Sequence, residues 1–233
     1  MSFNSARRIH ALIKHYKEEP SGWRTALPVA LNGHLVARLE PVTQCDHDQH
    51  LLIDILARWR EAAQDSYPTQ FPITLEGTRN WLLNKILEVP DRILFWIRGE
   101  QDGFRLGHVG LFHLDAACET MELDNVLRGT PRIAPGLMEA SVRTVMHWAT
   151  DHLGLSELSL RVFADNDRAV RLYERCGFKM TRHIPLVKTE DGDTTSWVEQ
   201  TTRPDLRSDR AFLEMQRRIG GAILRHTPLK LAA

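Results

Sequence analysis

Hydrophobic and polar positions recur at regular spacings along this chain, and the spacing changes between helical and extended several times. Near the start, Ile9, Leu12, Ile13 and Tyr16 follow the i, i+3, i+4, i+7 spacing of a helix. From residue 35 onward, segments of period-2 alternation exchange with segments of helical period. In chain order the pattern predicts a strand at 35–40, helices at 48–64 and between residues 74 and 90, strands at 92–98, 105–115 and 120–127, a helix at 137–153, a strand at 158–162, a short helix after residue 166, and strands at 178–187 and 196–202.

This order of elements predicts one mixed α/β domain over residues 35–202. Residues 1–34 form an N-terminal arm, which we interpret either as a surface helix followed by a docked segment or as an arm that lines a substrate site. Residues 203–233 form a tail that we expect to be helical, because its apolar side chains fall on one helical face. These side chains are Phe212, Met215, Ile219 and Ile223.

Composition and charge limit the classes of protein to which this chain can belong. Its 233 residues hold 30 basic and 30 acidic side chains, so no net charge attracts nucleic acid or an anionic membrane. No apolar run approaches the ~20 residues that a membrane helix needs. The three cysteines are too widely spaced for a disulfide scaffold, and no histidine spacing predicts a metal site. We therefore expect a soluble cytoplasmic protein with no metal, no membrane and no nucleic acid among its partners.

A loop with proline and glycine joins the strand at 120–127 to the helix at 137–153. It ends in Pro131, Arg132, Ile133, Ala134, Pro135 and Gly136. Backbone N–H groups at the start of a helix have no partner within the helix, and the helix dipole adds positive potential there. Such a junction can therefore hold an anion such as a pyrophosphate. An ordinary turn that caps a core helix has the same pattern, so this segment alone leaves both interpretations open.

A more specific signal lies at residues 160–178. This segment matches the pattern N-x-x-A-x-x-x-Y-x-x-x-G-F at every fixed position, through Asn166, Ala169, Tyr173, Gly177 and Phe178. It resembles the corresponding segment of the GCN5-related N-acetyltransferases, the GNAT superfamily, and the order of elements over 35–202 is also that of the family. The resemblance implies the GNAT fold, a mixed and mostly antiparallel central sheet flanked by helices. It also implies acetyl-CoA or a short acyl-CoA as the acyl donor.

The resemblance further implies which residues bind the acyl-CoA. They are Val126 on the strand, Arg132, Gly136, Leu137 and Met138 at the loop and helix start, and Asn166, Arg168 and Ala169 at the start of the next helix. The loop departs from the family's pattern, because Ala134 stands where a glycine is usual and Pro135 has no N–H donor. The donors that remain are the amides of residues 136, 137 and 138.

For the reaction, the resemblance implies direct attack of an amine on the acyl thioester. This needs a base for the amine proton and an acid for the departing thiolate. Period-2 alternation places Glu122 and Asp124 on one face of their strand, so these carboxylates are the candidate bases, although they could be solvated or bind the acceptor. Tyr173 matches the family's tyrosine that protonates the coenzyme sulfur; its alternative role is packing. His113 and Asp115 on the preceding strand are further candidates for the base.

The sequence also predicts the class of acceptor. Segments at 128–129, 161–166 and 184–186, together with the arm and the tail, look similar to bacterial GNAT enzymes that acylate amino sugars carried on nucleotides. A nucleotide-linked amino sugar is therefore the expected acceptor, and a homodimer is the expected assembly. Two alternatives stay open: a GNAT enzyme for a protein amine or a small-molecule amine such as an aminoglycoside, and a non-catalytic module that binds acyl-CoA. Trp23 and Trp197 could stack on a planar ligand.

Overall fold

The computed structural model describes residues 2–20, 23–131, 133–200, 208 and 210–219. The helices in this part of the chain are α1 (Ser2–Glu18), α2 (Gln44–His47), α3 (His50–Ala62), α4 (Leu75–Leu82), α5 (Leu137–Trp148) and α6 (Asp167–Arg175). A π-helical turn extends α4 at Leu83–Leu87 and another extends α5 at Ala149–Leu153. The strands are β1 (Leu27–Leu31), β2 (His34–Pro41), β3 (Thr69–Gln70), β4 (Ile93–Gly99), β5 (Arg105–Asp115), β6 (Thr120–Arg128), β7 (Glu157–Phe163), β8 (Lys179–Asp191), β9 (Thr194–Glu199) and β10 (Arg210–Arg218).

These strands form one sheet with the order β1-β2-β4-β5-β6-β7-β10-β8-β9-β3. Neighbouring strands are antiparallel except β6 and β7, which run parallel. In the middle of the sheet, β4 buries side chains on both faces. Ile93, Phe95 and Ile97 pack with α1 and α5, whereas Leu94 and Trp96 pack with α3 and α4 on the opposite face. The predicted α/β class, with a mixed and mostly antiparallel sheet flanked by helices, is therefore confirmed.

The N-terminal arm is a structural part of this sheet domain. The predicted helix is present as α1, which packs on the core through Ile9, Ile13 and Tyr16. The Tyr16 hydroxyl accepts a hydrogen bond of 3.0 Å from the indole N–H of Trp148 on α5. At the end of α1, the buried Lys17 ammonium donates to the backbone carbonyls of residues 86, 87 and 89 after α4. The arm also contributes β1, which pairs with β2, so the predicted boundary at residue 34 falls inside a β-hairpin.

The helix predicted for the tail is wrong over residues 210–218. This segment is β10, which lies between β7 and β8 and is hydrogen-bonded to both. Phe212 packs in a small cluster on one face of the sheet, whereas Leu213 and Met215 pack in the larger core on the other. The spacing of three between Phe212 and Met215 fits a helix, but in a strand it places the two side chains on opposite faces. Ile223 lies outside the described residues.

Candidate active site

A cavity of about 1030 Å³ opens where β6 and β7 separate. The two strands pair only near their starts, where residues 120–122 lie beside residues 157–159. Beyond that point β6 stays paired with β5, and β7 stays paired with β10. Side chains of both strands, of the loop before α5 and of α6 therefore line one space. Its volume is at the upper end of the usual range for small-molecule sites.

Most of the predicted site residues line this cavity. They are Glu122, Asp124, Val126, Gly136, Met138, Asn166, Arg168, Ala169 and Tyr173, together with His113. Asp115 does not, because its carboxylate accepts hydrogen bonds from the backbone N–H groups of Ala117 and Cys118 in the turn after β5. Arg132 lies outside the described residues.

The start of α5 borders the cavity through Gly136, the N-cap residue. Gly136 has a φ of 84°, in the left-handed region that favours glycine. Its carbonyl accepts the first helical hydrogen bond, from the amide of Ala140. The predicted donor at Leu137 is not available, because its amide donates to the carbonyl of Ala134 at 3.1 Å and its side chain is buried in the core. The loop closes into a tight turn that uses this amide. The amides of residues 136 and 138 are the predicted donors that remain.

α6 carries Tyr173 into the cavity from the other side. The Asn166 side-chain oxygen accepts a hydrogen bond of 3.2 Å from the Ala169 amide, so Asn166 is the N-cap, as its position in the motif predicts. Burial raises the pKa of the Tyr173 phenol, and the charge of Asp124 raises it further. Tyr173 therefore keeps its proton at neutral pH and lines the cavity as a protonated donor.

Asp124 lies at a β-bulge in the middle of β6. Two steps along β5, from His108 to Gly110, correspond to three steps along β6, from Leu127 to Asp124. The extra residue is accommodated where Asn125 adopts a left-handed φ of 50°. One Asp124 carboxylate oxygen accepts a hydrogen bond of 2.6 Å from the backbone N–H of Asn125. Burial raises the pKa of Asp124, and the neighbouring charge of Glu122 adds to the increase, while the bond from Asn125 opposes it.

Glu122, in contrast, has both carboxylate oxygens engaged. One lies 2.9 Å from Nδ1 of His113, and the other lies 3.5 Å from Nε of Arg161 on β7. Nε2 of His113 lies 3.1 Å from the guanidinium of Arg92, which can only donate, so His113 carries its proton on Nδ1 and donates to Glu122. Arg161 also pairs with Glu199 on β9 at 2.9 Å. These side chains form a continuous network on one wall of the cavity.

The remaining wall contains residues that the sequence patterns did not identify. Tyr67 precedes Pro68 in the loop between α3 and β3, a segment without periodicity that could have marked it. Burial raises the pKa of Tyr67 to about 12, and the charge of Asp124 contributes to this increase. Tyr67, Tyr173 and Asp124 therefore lie near one another. Trp197, considered from sequence as a stacking residue, also lines this wall, and its amide donates to the Pro68 carbonyl at 2.7 Å.

Three further expectations from the sequence concern the N-terminal arm, metal binding and membrane-spanning helices. Within those residues, no side chain from the first 34 positions lines the cavity, and Trp23 is exposed at the surface. This favours the interpretation of the arm as a docked segment. Among the same residues, no group of three or more His, Cys, Asp and Glu side chains is arranged to hold a metal ion. No described helix has both the length and the apolar character needed to span a membrane.

Comparison with known proteins identifies the family to which the chain belongs. A family model for the acetyltransferase (GNAT) domain matches residues 38–179, which is more than half of the chain. The match extends from β2 to the start of β8 and includes the loop before α5 and the whole of α6. A search of curated proteins found no significant match.

Solved structures with the same fold are also acetyltransferases. A probable acetyltransferase of the GNAT family from Chromobacterium violaceum has 17% sequence identity and a TM-score of 0.60, over 85% of this chain and 92% of that one. The dodecameric spermidine N-acetyltransferase from Vibrio cholerae has 14% identity and a TM-score of 0.55, over 78% of this chain and 94% of that one. At these identities the likeness shows the fold alone.

Proposed function

The chain belongs to the GNAT acetyltransferase family, and from this we propose that its cavity transfers an acetyl group from acetyl-CoA to a primary amine, with Asp124 as the base and Tyr173 as the acid. One observation carries the proposal. A half-buried carboxylate with a raised pKa and a phenol that keeps its proton line one cavity, beside a helix start suited to a pyrophosphate.

The residues at one end of the cavity fit acetyl-CoA or a short acyl-CoA. At the start of α5, the amides of Gly136 and Met138 and the helix dipole favour the negatively charged pyrophosphate. Arg168, in the first turn of α6, is exposed and forms no ion pair with any described residue, so it is available for a phosphate. Val126, Asn166 and Ala169 also line the cavity. The bound donor supplies the acetyl thioester.

The chain's own residues then move two protons. Asp124 accepts a proton from the amine nitrogen as its C–N bond to the acetyl group forms. Tyr173 donates its phenolic proton to the sulfur as the C–S bond breaks, which gives the amide and free coenzyme A. Asp124 has gained one proton and Tyr173 has lost one, so a net transfer between them, directly or through solvent, restores the enzyme.

Asp124 is a better base than Glu122 in this arrangement. Glu122 accepts from His113 and pairs with Arg161, so a substrate amine would have to compete with two existing partners. Asp124 accepts one backbone bond and is near both cavity tyrosines. Its raised pKa also brings it closer to neutral pH, where a general base is most effective. We propose that Glu122 instead orients His113 and Arg161.

Substitution of Gly136 tests the position of the donor. We expect Gly136→Asp to abolish acetyl-CoA binding, because it places a carboxylate where the pyrophosphate would lie. The matched control is Gly136→Asn, which has the same size and a similar tolerance of the left-handed φ but no charge. Isothermal titration calorimetry on the folded variants should therefore show a much larger loss of affinity with Asp than with Asn. Equal affinities in the two variants would place the pyrophosphate elsewhere.

For the acceptor we propose a nucleotide-linked amino sugar, as the sequence resemblance implies. Trp197 supports this proposal, because an indole face in the cavity can pack on a sugar or a base. Arg161 is the guanidinium nearest to Glu122 that could bind a diphosphate, although it would have to leave its carboxylate partners. A second candidate is a cationic small-molecule amine. The carboxylates of Glu122, Asp124 and Glu199 favour it, because they line the cavity and can attract a cation.

A panel of amines separates these acceptors. Thiol release from acetyl-CoA should be measured with nucleotide-linked amino sugars, free amino sugars, polyamines, aminoglycosides and lysine peptides. We expect turnover with a nucleotide-linked amino sugar and a strong loss when the nucleotide is removed. Turnover of only polyamines or aminoglycosides would support the second candidate and refute the first. Thiol release with none of these amines, in a protein that still binds acetyl-CoA, would support the non-catalytic alternative.

A further inference from the structure

His108 lies on β5 beneath the bulge of β6, outside the cavity. Its side chain is fully buried, and Trp59 is its aromatic neighbour, with ring centroids 6.1 Å apart. Nδ1 lies 2.6 Å from the backbone carbonyl oxygen of Asn125. Because a carbonyl can only accept, Nδ1 must carry the proton. Nε2 is buried and has no hydrogen-bond partner among the described residues, so the imidazole makes a single hydrogen bond, at the bulge.

The residue that His108 holds is also the residue that contacts the base. Asn125 has the left-handed φ of 50° that accommodates the extra residue of β6. The backbone carbonyl of Asn125 accepts a hydrogen bond from His108. The backbone N–H of Asn125 donates a hydrogen bond of 2.6 Å to the Asp124 carboxylate. Asparagine adopts the left-handed region more readily than most other residues with a side chain, so Asn125 suits this position of the bulge. The bond from β5 holds the Asn125 backbone through His108, a residue that does not line the cavity.

We propose that His108 is a positioning residue. Its Nδ1–H holds the backbone carbonyl of Asn125 at the bulge, and the bulge directs the backbone N–H of Asn125 at the carboxylate of Asp124. A buried nitrogen without a hydrogen-bond partner costs free energy, and an apolar side chain would fill this core position without that cost. The hydrogen bond to Asn125 is the interaction that offsets the cost of burying the His108 imidazole. The inference rests on the proposed function in one respect only, the role of Asp124 as the base.

The test compares His108→Leu with His108→Asn in the full chain. Asparagine can place an amide N–H near the position of Nδ1, whereas leucine has a similar shape and no donor. Loss of the donor should loosen the bulge and weaken the Asn125 bond to Asp124. Because that bond lowers the pKa of Asp124, we expect this pKa to be higher in His108→Leu than in the wild type and to return toward the wild-type value in His108→Asn. NMR titration of the Asp124 carboxyl carbon measures this without requiring activity.

Other titratable groups face Asp124 and are the same in all three proteins. They are Glu122 on β6, His113 on β5, Arg92 before β4, Tyr67 before β3 and Tyr173 on α6. A difference between the leucine and asparagine variants therefore reports the bond from residue 108. In the pH profile of kcat, the decrease on the acidic side should move to higher pH in the leucine variant. It should return to the wild-type position in the asparagine variant, and the KM for acetyl-CoA should be unchanged in both.

The pKa of Asp124 in His108→Leu decides the proposal. A higher Asp124 pKa in His108→Leu alone supports it, and equal pKa values in wild type and His108→Leu overturn it. If the leucine variant does not fold, the ¹⁵N spectrum of wild-type His108 decides: the Nδ1–H tautomer supports the proposal, and the Nε2–H tautomer overturns it. If the pKa values behave as expected but Asp124→Asn keeps the wild-type rate, the positioning of Asp124 stands and its role as the base fails.

Discussion

Tyr173→Phe is expected to lower kcat by about 10²-fold, or about 2.7 kcal/mol in activation free energy. The substitution keeps the ring that packs edge to face on Phe178 and removes only the hydroxyl. A thiolate is a fair leaving group, so the decrease should lie at the low end of the range for general acid catalysis. Because the proton is donated mainly in the transition state, the affinity for acetyl-CoA should change little. Single-turnover kinetics with the best acceptor measures the chemical step directly.

Another tyrosine provides the control for this result. Tyr16→Phe also removes a hydroxyl from an aromatic cluster, but Tyr16 lies in the core and its hydroxyl accepts from Trp148. We expect this variant to lose some stability and to keep the wild-type kcat. If Tyr173→Phe also turns over at the wild-type rate when chemistry limits, Tyr173 is a packing residue and the acid must be found elsewhere.

Asp124→Asn is expected to lower kcat by ~10²–10⁴-fold, because the amide cannot accept the amine proton. Asparagine keeps a side-chain oxygen that can accept the bond from the Asn125 amide, so the bulge should persist. If Asp124 is the base, wild-type activity requires its carboxylate form and is lost as pH falls through the pKa of Asp124. Burial raises that pKa above the value of about 3.9 typical of aspartate, so the acid limb should lie at higher pH than for an exposed aspartate.

Glu122→Gln distinguishes the two carboxylates. If Asp124 is the base, this variant should keep the acid limb and lose less activity, through weaker contacts with His113 and Arg161. A pH–rate profile of both variants with a saturating amine measures the difference. Loss of the acid limb in Glu122→Gln, with the limb retained in Asp124→Asn, would assign the base to Glu122.

Local patterns in the sequence predicted those parts of the site that depend on neighbouring residues. The motif from Asn166 to Phe178 predicted α6 with its N-cap and the placement of Tyr173. Alternation along β6 predicted that Glu122 and Asp124 share a face, and both line the cavity. These predictions succeed because helix capping and strand alternation are properties of the local backbone.

The tertiary structure decided the features that depend on residues distant in the sequence. Local spacing could not show that residues 210–218 complete the sheet between β7 and β8 rather than form a helix. It also could not show that Glu122 is engaged by His113 and Arg161 while the half-buried Asp124 shares the cavity with Tyr67. Strand pairing, burial and ion pairing all depend on which segments meet in space, and the pKa of a carboxylate follows from those neighbours. The sequence alone therefore identified Glu122 and Asp124 as the leading pair among four candidate bases, and the fold distinguishes the environments of the two carboxylates.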